Sequence, residues 1–429
     1  MNKTLACLVL ATMTLTATAQ SGTNSPYSQY GFGNITDQSV GFNKGMNGVG
    51  LAMRRGYEVN PMNPASYSSV DSLSMIFDAG LSGQITNFNE NGNRLNAKSG
   101  GFDYAVGLLR AFRHVGVSFG VLPYSNIGYK YATLTTLNDV KTTTNVQSTY
   151  EGKGGLHQLF IGAGWNFGWN FVKPLSVGFN LSYLWGDISR SVATSSSSSI
   201  NNLAKEYSAE VSSYKLEFGI QYEQELNKMD KLTLGATFSP SHKLGSDPMC
   251  KIINKKTVGK SDTTTFKISN GLSLPTTFGL GLAYNHGYNF RVGADFMMQK
   301  WGKVDFPAED GTGYSLQSGL LKDSYRLNAG LEWIPRPMGR NLHERIRYRL
   351  GVGYATPYYY INGKEGPKEL SASIGFGIPI MNGYNARSVL NISGQYVHRS
   401  ADNLIKENTF RINIGLTFNE RWFAKWKVE

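Results

Sequence analysis

The chain has 429 residues, of which 41% are hydrophobic and 17% are charged, and its net charge is +12. The mean hydropathy of -0.28 is that of a soluble protein, and beyond the apolar N-terminus no run of about 18 apolar residues could form a membrane-spanning helix. The basic residues are dispersed along the chain, which argues against a nucleic-acid-binding surface.

The N-terminus predicts a signal peptide over residues 1–19. Lys3 precedes an apolar run, and Ala17 and Ala19 supply the small residues of a cleavage site. We expect cleavage near Ala19 and export from the cytoplasm. Export leaves Cys250 as the only cysteine of the mature chain, so neither an internal disulfide nor a cysteine-based metal site is expected. The role of this thiol stays open.

Alternation of apolar and polar residues is the dominant pattern from residue 74 onwards. Residues 409–418 are the clearest case, with Phe410 and Ile412 on one face and Arg411 and Asn413 on the other. Strands with one apolar and one polar face are typical of a barrel that spans a bacterial outer membrane, where lipid contacts the apolar face.

The same pattern predicts fourteen strands, near residues 74–88, 102–112, 115–134, 143–169, 175–191, 208–225, 232–239, 276–285, 290–301, 325–334, 346–361, 370–380, 388–397 and 409–418. The number is even, as such barrels require. Short turns alternate with long polar loops at residues 192–207, 241–274 and 302–323, which places the long loops outside the cell. We therefore predict an all-β, roughly 14-stranded antiparallel transmembrane barrel over residues 74–419.

One turn on the predicted periplasmic side breaks this alternation of lengths. Residues 335–345 are long for that side and carry Arg336, Arg340, His343 and Arg345. Charged turns are usually just hydrated. The alternative is a contact with a periplasmic partner or an acidic surface.

The segment before the first strand predicts a plug. Residues 20–73 are rich in turn formers and show little alternation, and a place inside the lumen would bury their apolar side chains. A glycine-rich stretch at residues 45–50 is followed by Asn63, Pro64 and Ala65. From the residues alone, Asn63 before Pro64 predicts a turn.

This layout resembles the FadL-like family of outer-membrane transporters for long-chain fatty acids and other hydrophobic compounds. In that family a glycine-rich stretch and an Asn-Pro-Ala motif form a hatch ahead of a fourteen-stranded barrel. The resemblance implies that Asn63, Pro64 and Ala65 are the hatch motif of this chain.

The third predicted strand is interrupted at Pro123, a few residues before Gly128. Proline lacks the N–H that a sheet ladder needs, so Pro123 predicts a break in pairing or a bulge. FadL-like barrels have an inward kink in their third strand that opens a side exit into the bilayer. The resemblance implies that Pro123 and Gly128 form such a lateral gate, and a bulge that only shapes the barrel is the alternative.

Charged residues on the polar faces of the strands are expected to point into the lumen, because on the lipid face each would cost about 2–4 kcal/mol near the midplane. Acidic and basic members could pair with one another and anchor the plug. Surplus cations could instead bind the carboxylate of an amphipathic cargo. The candidate cations are Lys215, Arg291, Arg326, Arg347, Arg349 and Arg411.

Enzyme signatures are absent from the sequence: there is no Gly-x-Ser-x-Gly elbow, no His-Glu-x-x-His helix and no phosphate-binding loop. We expect no enzymatic activity, cofactor, metal or nucleic acid. The leading functional prediction is passive uptake of a hydrophobic or amphipathic small molecule through a plugged lumen with a lateral exit. The alternative is a non-transporting barrel subunit of a multiprotein secretion or barrel-assembly machine, which the basic aromatic tail at residues 420–429 would favour through contacts with envelope proteins.

Overall fold

The computed structural model describes residues 22–90, 92–138, 143–168, 174–196, 201–256, 261–310, 313–382 and 385–421. The predicted signal peptide, its cleavage site and nearly all of the basic aromatic tail lie outside the described residues.

Fourteen strands build the barrel: β2 (Ser74–Glu90), β3 (Asn93–Phe112), β4 (Val115–Asn138), β5 (Thr143–Asn166), β6 (Leu175–Ser196), β7 (Asn201–Glu225), β8 (Asp230–Ser239), β13 (Thr277–His286), β14 (Phe290–Gln299), β17 (Ser324–Trp333), β18 (Arg347–Ala355), β21 (Lys368–Asn382), β22 (Asn385–Ser400) and β23 (Lys406–Arg421). Nine shorter strands in the described residues are β1 (Asn34–Ile35), β9 (His242–Lys243), β10 (Met249–Lys256), β11 (Asp262–Lys267), β12 (Ser273–Leu274), β15 (Phe306–Glu309), β16 (Tyr314–Gln317), β19 (Tyr360–Ile361) and β20 (Lys364–Glu365).

Helical structure in the described residues is limited to α1 (Gly41–Lys44), α2 (Leu342–Arg345) and the 3-10 helices Pro26–Gln29, Pro64–Ser69 and Trp301–Lys303. None of the helices in this part of the chain is long and apolar enough to cross a membrane.

The barrel is a closed antiparallel ring. Each of the fourteen barrel strands pairs with the next barrel strand along the chain. The shorter strands that come between them in the sequence lie outside this ring. The ring closes between β2 and β23, whose register runs from Ser74 opposite Arg421 to Asn89 opposite Lys406. All fourteen predicted strands overlap strands of this ring, so the predicted fold class is confirmed.

The two faces of the strands follow the alternation in the sequence. In β23, Phe410, Ile412 and Ile414 are each about half exposed on the outer surface, whereas Asn413 and Thr417 are buried inside. A half-exposed row of large apolar side chains is what a lipid-facing wall requires. The outward face is therefore the membrane face.

The predicted loop at residues 192–207 is mostly strand, because β6 continues to Ser196 and β7 starts at Asn201. Beyond the membrane, water contacts both faces of a strand, so the alternation that marks the spanning part disappears. Strand β10 pairs with this outer part of β7 and carries β11 on its other edge. The barrel wall thus extends outside as a polar sheet.

Residues 41–70, which we call the hatch segment, lie inside the ring of strands. Wall glycines leave room for its backbone: a Cβ atom at Gly178 would lie 2.4 Å from the carbonyl carbon of Pro64, and one at Gly351 would lie 2.4 Å from that of Met46. Because β6 and β18 stand on different sides of the barrel, these close approaches place the hatch segment across the lumen.

Candidate functional site

Asn63 joins the hatch segment to the barrel wall. Its side-chain oxygen accepts a hydrogen bond from the backbone N–H of Ala65 at 3.1 Å, which caps the 3-10 helix that Pro64 begins. Its amide nitrogen donates to the carbonyls of Leu51, at 2.7 Å, and Ile220, at 3.2 Å. The three residues predicted as the hatch motif therefore form one turn that is bonded to β7.

Buried ion pairs hold the other side of the hatch segment. Glu58 accepts hydrogen bonds from Arg291 at 2.7 and 3.0 Å and from Arg347 at 3.1 Å. Glu332 of β17 accepts from Arg291 at 3.0 Å and from Arg349 at 2.6 Å. Three of the predicted lumen cations therefore bind carboxylates of the chain itself, which is the plug-anchoring arrangement.

The hatch segment also offers backbone donors to the wall. The N–H groups of Gly50 and Leu51 donate to one carboxylate oxygen of Asp295, at 2.6 and 2.9 Å. The alternation of β14 predicts that Asp295 is an inward-facing charge that pairs with a basic side chain, whereas its partners here are backbone N–H groups.

The remaining predicted cations differ in their partners. Arg411 donates to the side chain of Gln84 at 2.9 and 2.7 Å, and Lys215 forms an ion pair with Glu217 at 2.5 Å. Arg326 has neither a hydrogen bond nor an ion pair within the described residues. Its guanidinium lies near the carboxylates of Asp37 and Glu369, which interact with it electrostatically.

Arg326 lines a cavity of about 170 Å³ on the outer side of the hatch segment. Cavities of roughly this size hold one aromatic ring in other proteins. Lys215 and Tyr358 also line it. Other apolar lining residues are Tyr124, Phe238, Leu274 and Met297. The carboxylates of Asp37, Glu217 and Glu369 line it as well. A chamber with apolar walls and a few charged groups suits a small, mainly apolar molecule.

The wall beside this cavity has a seam between β3 and β4. Their ladder ends where Ala105 faces Val121, although both strands continue outwards. The register of β4 against β5 shifts between Pro123 and Ser125, so the predicted irregularity at Pro123 is present. Beyond the end of the β3–β4 ladder, β1 pairs with β4 in place of β3, with Ile35 opposite Ser125.

Residues 22–38, which we call the seam segment, cover this edge of β4. The hydroxyl of Thr36 donates to the carbonyl of Pro123 at 2.5 Å, and the N–H of Gly128 donates to the hydroxyl of Ser28 at 3.1 Å. The side chain of Asn24 reaches the other strand and donates to the carbonyl of Lys98 at 2.9 Å. The sequence analysis assigned these residues to the plug over residues 20–73 and did not predict their contact with β4, because their hydrogen-bonding side chains carry no periodic signal.

Both residues predicted for a lateral gate therefore contact the seam segment, and six consecutive residues of that segment, 33–38, also line the cavity. One piece of chain separates the cavity from the seam. Among the described residues, no group of three His, Cys, Asp or Glu side chains could hold a metal ion.

Comparison with known proteins identifies the family. The model of the BamG family matches residues 1–429. The chain belongs to the BamG family. None of the curated proteins matches this chain in sequence.

Solved structures share the fold of this chain. The toluene transporter TodX of Pseudomonas putida is 14% identical, with a TM-score of 0.61 over 91% of this chain and 99% of that chain. A FadL homologue of Pseudomonas aeruginosa is 10% identical, with a TM-score of 0.61 over 90% of this chain and 99% of that one.

The toluene transporter TbuX of Ralstonia pickettii is 13% identical to this chain, with a TM-score of 0.59 over 89% of this chain and 98% of that chain. The predicted resemblance to FadL-like outer-membrane barrels is thus confirmed for the fold. At such low sequence identities, the structural similarity shows the fold and does not identify a transported molecule.

Proposed function

We propose that this barrel mediates passive uptake of a small hydrophobic or amphipathic molecule across the outer membrane. The molecule enters from outside, occupies the cavity beside the hatch segment and leaves sideways between β3 and β4. The chain reaches the outer membrane with its signal peptide removed near Ala19. The hatch segment blocks the direct path to the periplasm.

The observation that carries this proposal is that the seam segment contacts both the cavity and the edge of β4. Residues 33–38 line the cavity, while Asn34 and Ile35 pair with the edge of β4 where β3 has left it. Displacing this one segment would connect the cavity to the membrane-facing seam. An oily solute that leaves sideways stays out of the aqueous periplasm, which is the favourable route for apolar surface.

The cavity volume favours a cargo about the size of one aromatic ring over an extended long-chain acid. TodX and TbuX, which share the fold, are named as toluene transporters. The guanidinium of Arg326, which makes no hydrogen bond within the described residues, adds a site where a cargo carboxylate would compete with Asp37 and Glu369.

A reversible lock tests the lateral route. The double variant Ile35→Cys/Ser125→Cys, made in a Cys250→Ser background, joins β1 to β4 through facing positions of an antiparallel pair, where a disulfide can form. We expect oxidised cells to take up radiolabelled toluene or benzoate slowly and to recover after reduction. The matched control is Leu282→Cys/Ala294→Cys, which joins two strands of the intact wall.

Uptake that is unchanged by the oxidised Ile35–Ser125 lock, with the disulfide verified by mass spectrometry, would rule out exit at this seam. A slow uptake in both locked proteins would point to a general effect of oxidation instead.

A second candidate function is that of a non-transporting barrel subunit in a multiprotein outer-membrane secretion or barrel-assembly machine. The BamG family, whose model covers the whole chain, is not named as a transporter, in contrast to TodX and TbuX. With this function, the seam between β3 and β4 stays closed, and the partners of the barrel are other envelope proteins. Three of the lumen arginines are already paired with carboxylates of the chain, which suits a barrel that needs no cargo.

Gentle-detergent purification of the tagged native protein separates the two functions. A stoichiometric set of envelope proteins without a bound small molecule supports the subunit, and a lone barrel with an extracted apolar compound supports the transporter. The locked variant adds a second criterion, because a subunit should assemble normally when the seam cannot open.

A further inference from the structure

The turn between β17 and β18 is the long basic turn that the sequence singled out. It is rigid: the N–H of Arg336 donates to the carbonyl of Glu344 at 2.8 Å, and Asn341 and Glu344 form a capping box at α2. The carbonyl of Ile334 also accepts from the side chain of Asn289 on the neighbouring turn, at 3.4 Å. A hydrated loop without a role would need none of this bonding.

The turn lies on the membrane side of the barrel and not below the lumen. The hydroxyl of Tyr348 donates to the carbonyl of His343 in α2 at 3.2 Å. The Tyr348 ring packs against Trp333 and Phe376, each at 5.9 Å between ring centroids, and these two rings are exposed on the lipid-facing surface. Such aromatic belts mark the level of the lipid headgroups.

The exposed side chains of the turn combine apolar and cationic groups. Met338 is 97% exposed and Leu342 is 50% exposed. Arg340 is exposed and has no hydrogen bond or ion pair within the described chain. Arg336 is 76% exposed and pairs with Glu344 at 3.2 Å. Apolar side chains beside arginines at the headgroup level are typical of segments that lie in a membrane interface.

We propose that this turn binds an anionic phospholipid of the periplasmic leaflet. Met338 and Leu342 enter the boundary between headgroups and acyl chains, and Arg340, with Arg336 beside it, binds the phosphate of the headgroup. Arginine suits this task because its fork of N–H donors matches the oxygens of a phosphate. The inference depends on the barrel and its orientation and is independent of cargo.

A lipid fits the turn better than a periplasmic protein for a geometric reason. The turn continues the aromatic belt through the Tyr348 hydrogen bond, so its apolar residues stand beside the bilayer and not in open water. The basic residues would attract a negatively charged membrane surface over about one Debye length.

Native mass spectrometry of the purified full chain in detergent tests the proposal. Dioleoyl phosphatidylglycerol and dioleoyl phosphatidylethanolamine are added at equal concentration, and the lipid adducts are compared. We expect the wild type to retain the anionic lipid preferentially and Arg340→Gln to lose about fivefold of that preference, the factor expected for one basic residue near an anionic surface. Arg340→Glu should abolish it.

The matched control is Lys255→Gln, which removes an exposed charge from β10 on the extracellular side and should leave the preference unchanged. Equal retention of the two lipids by the wild type would overturn the proposal, as would a preference that Arg340→Glu leaves intact. Recovery of a periplasmic protein that depends on Arg340, with no lipid preference, would replace the lipid by a protein partner.

Discussion

Glu58 of the hatch segment and Arg291 of β14 form a two-point ion pair, with N–O distances of 2.7 and 3.0 Å and side chains 6% and 1% exposed. The pair links the interior segment to the barrel wall at a site without water access. Two further arginines and Glu332 extend it into a network. Buried charges of this kind are stable only as a set, because each one compensates another.

The Glu58→Ala variant should therefore destabilise the protein by about 3–5 kcal/mol, since Arg347 loses its ion-pair partner in a buried site and Arg291 keeps only Glu332. Urea unfolding in detergent, followed by gel mobility without boiling, measures the loss. The control is Glu151→Gln, which breaks an exposed pair with Lys130 and should cost less than about 1 kcal/mol. Equal effects of the two variants would contradict this account of the network.

Glycine in the wall is required where the hatch segment touches it. Gly178→Ala places a methyl group 2.4 Å from the Pro64 carbonyl carbon, a clash with backbone that must displace the hatch motif. We expect increased entry of a bulky antibiotic into cells, and a stability loss of about 1–3 kcal/mol. At Gly83 a Cβ atom meets nothing within 4 Å, so Gly83→Ala should behave as the wild type. A leak that is the same in both variants would refute the steric reason.

Arg326 should distinguish acidic from neutral cargo. Arg326→Gln is expected to weaken binding of benzoate by about tenfold, the usual worth of a hydrogen bond to a charged group, and to leave toluene binding unchanged. Calorimetry on the purified barrel gives both affinities. Arg411→Gln is the matched control, because Arg411 is bonded to Gln84 and does not line the cavity. Parallel losses for benzoate and toluene would mean that Arg326 only shapes the cavity.

The docking of the β15–β16 hairpin should depend on pH through Glu309. Burial tends to raise the pKa of Glu309, but hydrogen bonds from Lys205 and Tyr207 outweigh it and hold the pKa below its usual 4.5. A carboxyl whose pKa is lowered by folding stabilises the fold above its unfolded pKa, and this stabilisation is lost as pH falls through the lowered value.

Hydrogen exchange of residues 306–317, corrected for intrinsic rates, should therefore be slow from pH 7 to 5 and faster once the pH is well below 4.5. Glu309→Gln should remove the pH dependence. If this variant and the wild type respond to acid alike, the carboxyl is not the group responsible.

Cys250 should be inert in the folded protein. Its side chain is fully buried, and burial together with the nearby Glu309 raises its pKa to about 11, so little thiolate is present at neutral pH. In a Cys7→Ser background, iodoacetamide at pH 8 should modify the urea-unfolded chain and leave the folded one unmodified. Thr263→Cys, exposed on the neighbouring strand β11, is the positive control. Rapid labelling of folded Cys250 would contradict its burial.

The sequence by itself determined the barrel. Lipid outside and a polar lumen inside impose an alternation with period two on every spanning strand, so Phe410 and Arg411 already reveal their faces. The even strand count and the position of the irregularity at Pro123 follow from the same local signals. Outside the membrane that constraint ends, which is why the outer parts of β6 and β7 were predicted as a loop.

Only the tertiary structure decided which charged groups meet. Glu58 and Arg291 are 233 positions apart, and their pairing depends on how closure of the ring orients β14 towards the hatch segment. The same is true of Asn24 and Lys98 across the seam. The alternation predicts that a side chain points inward. Its partner inside the lumen is set by the register of all fourteen strands, because the lumen brings together residues that are distant in the sequence.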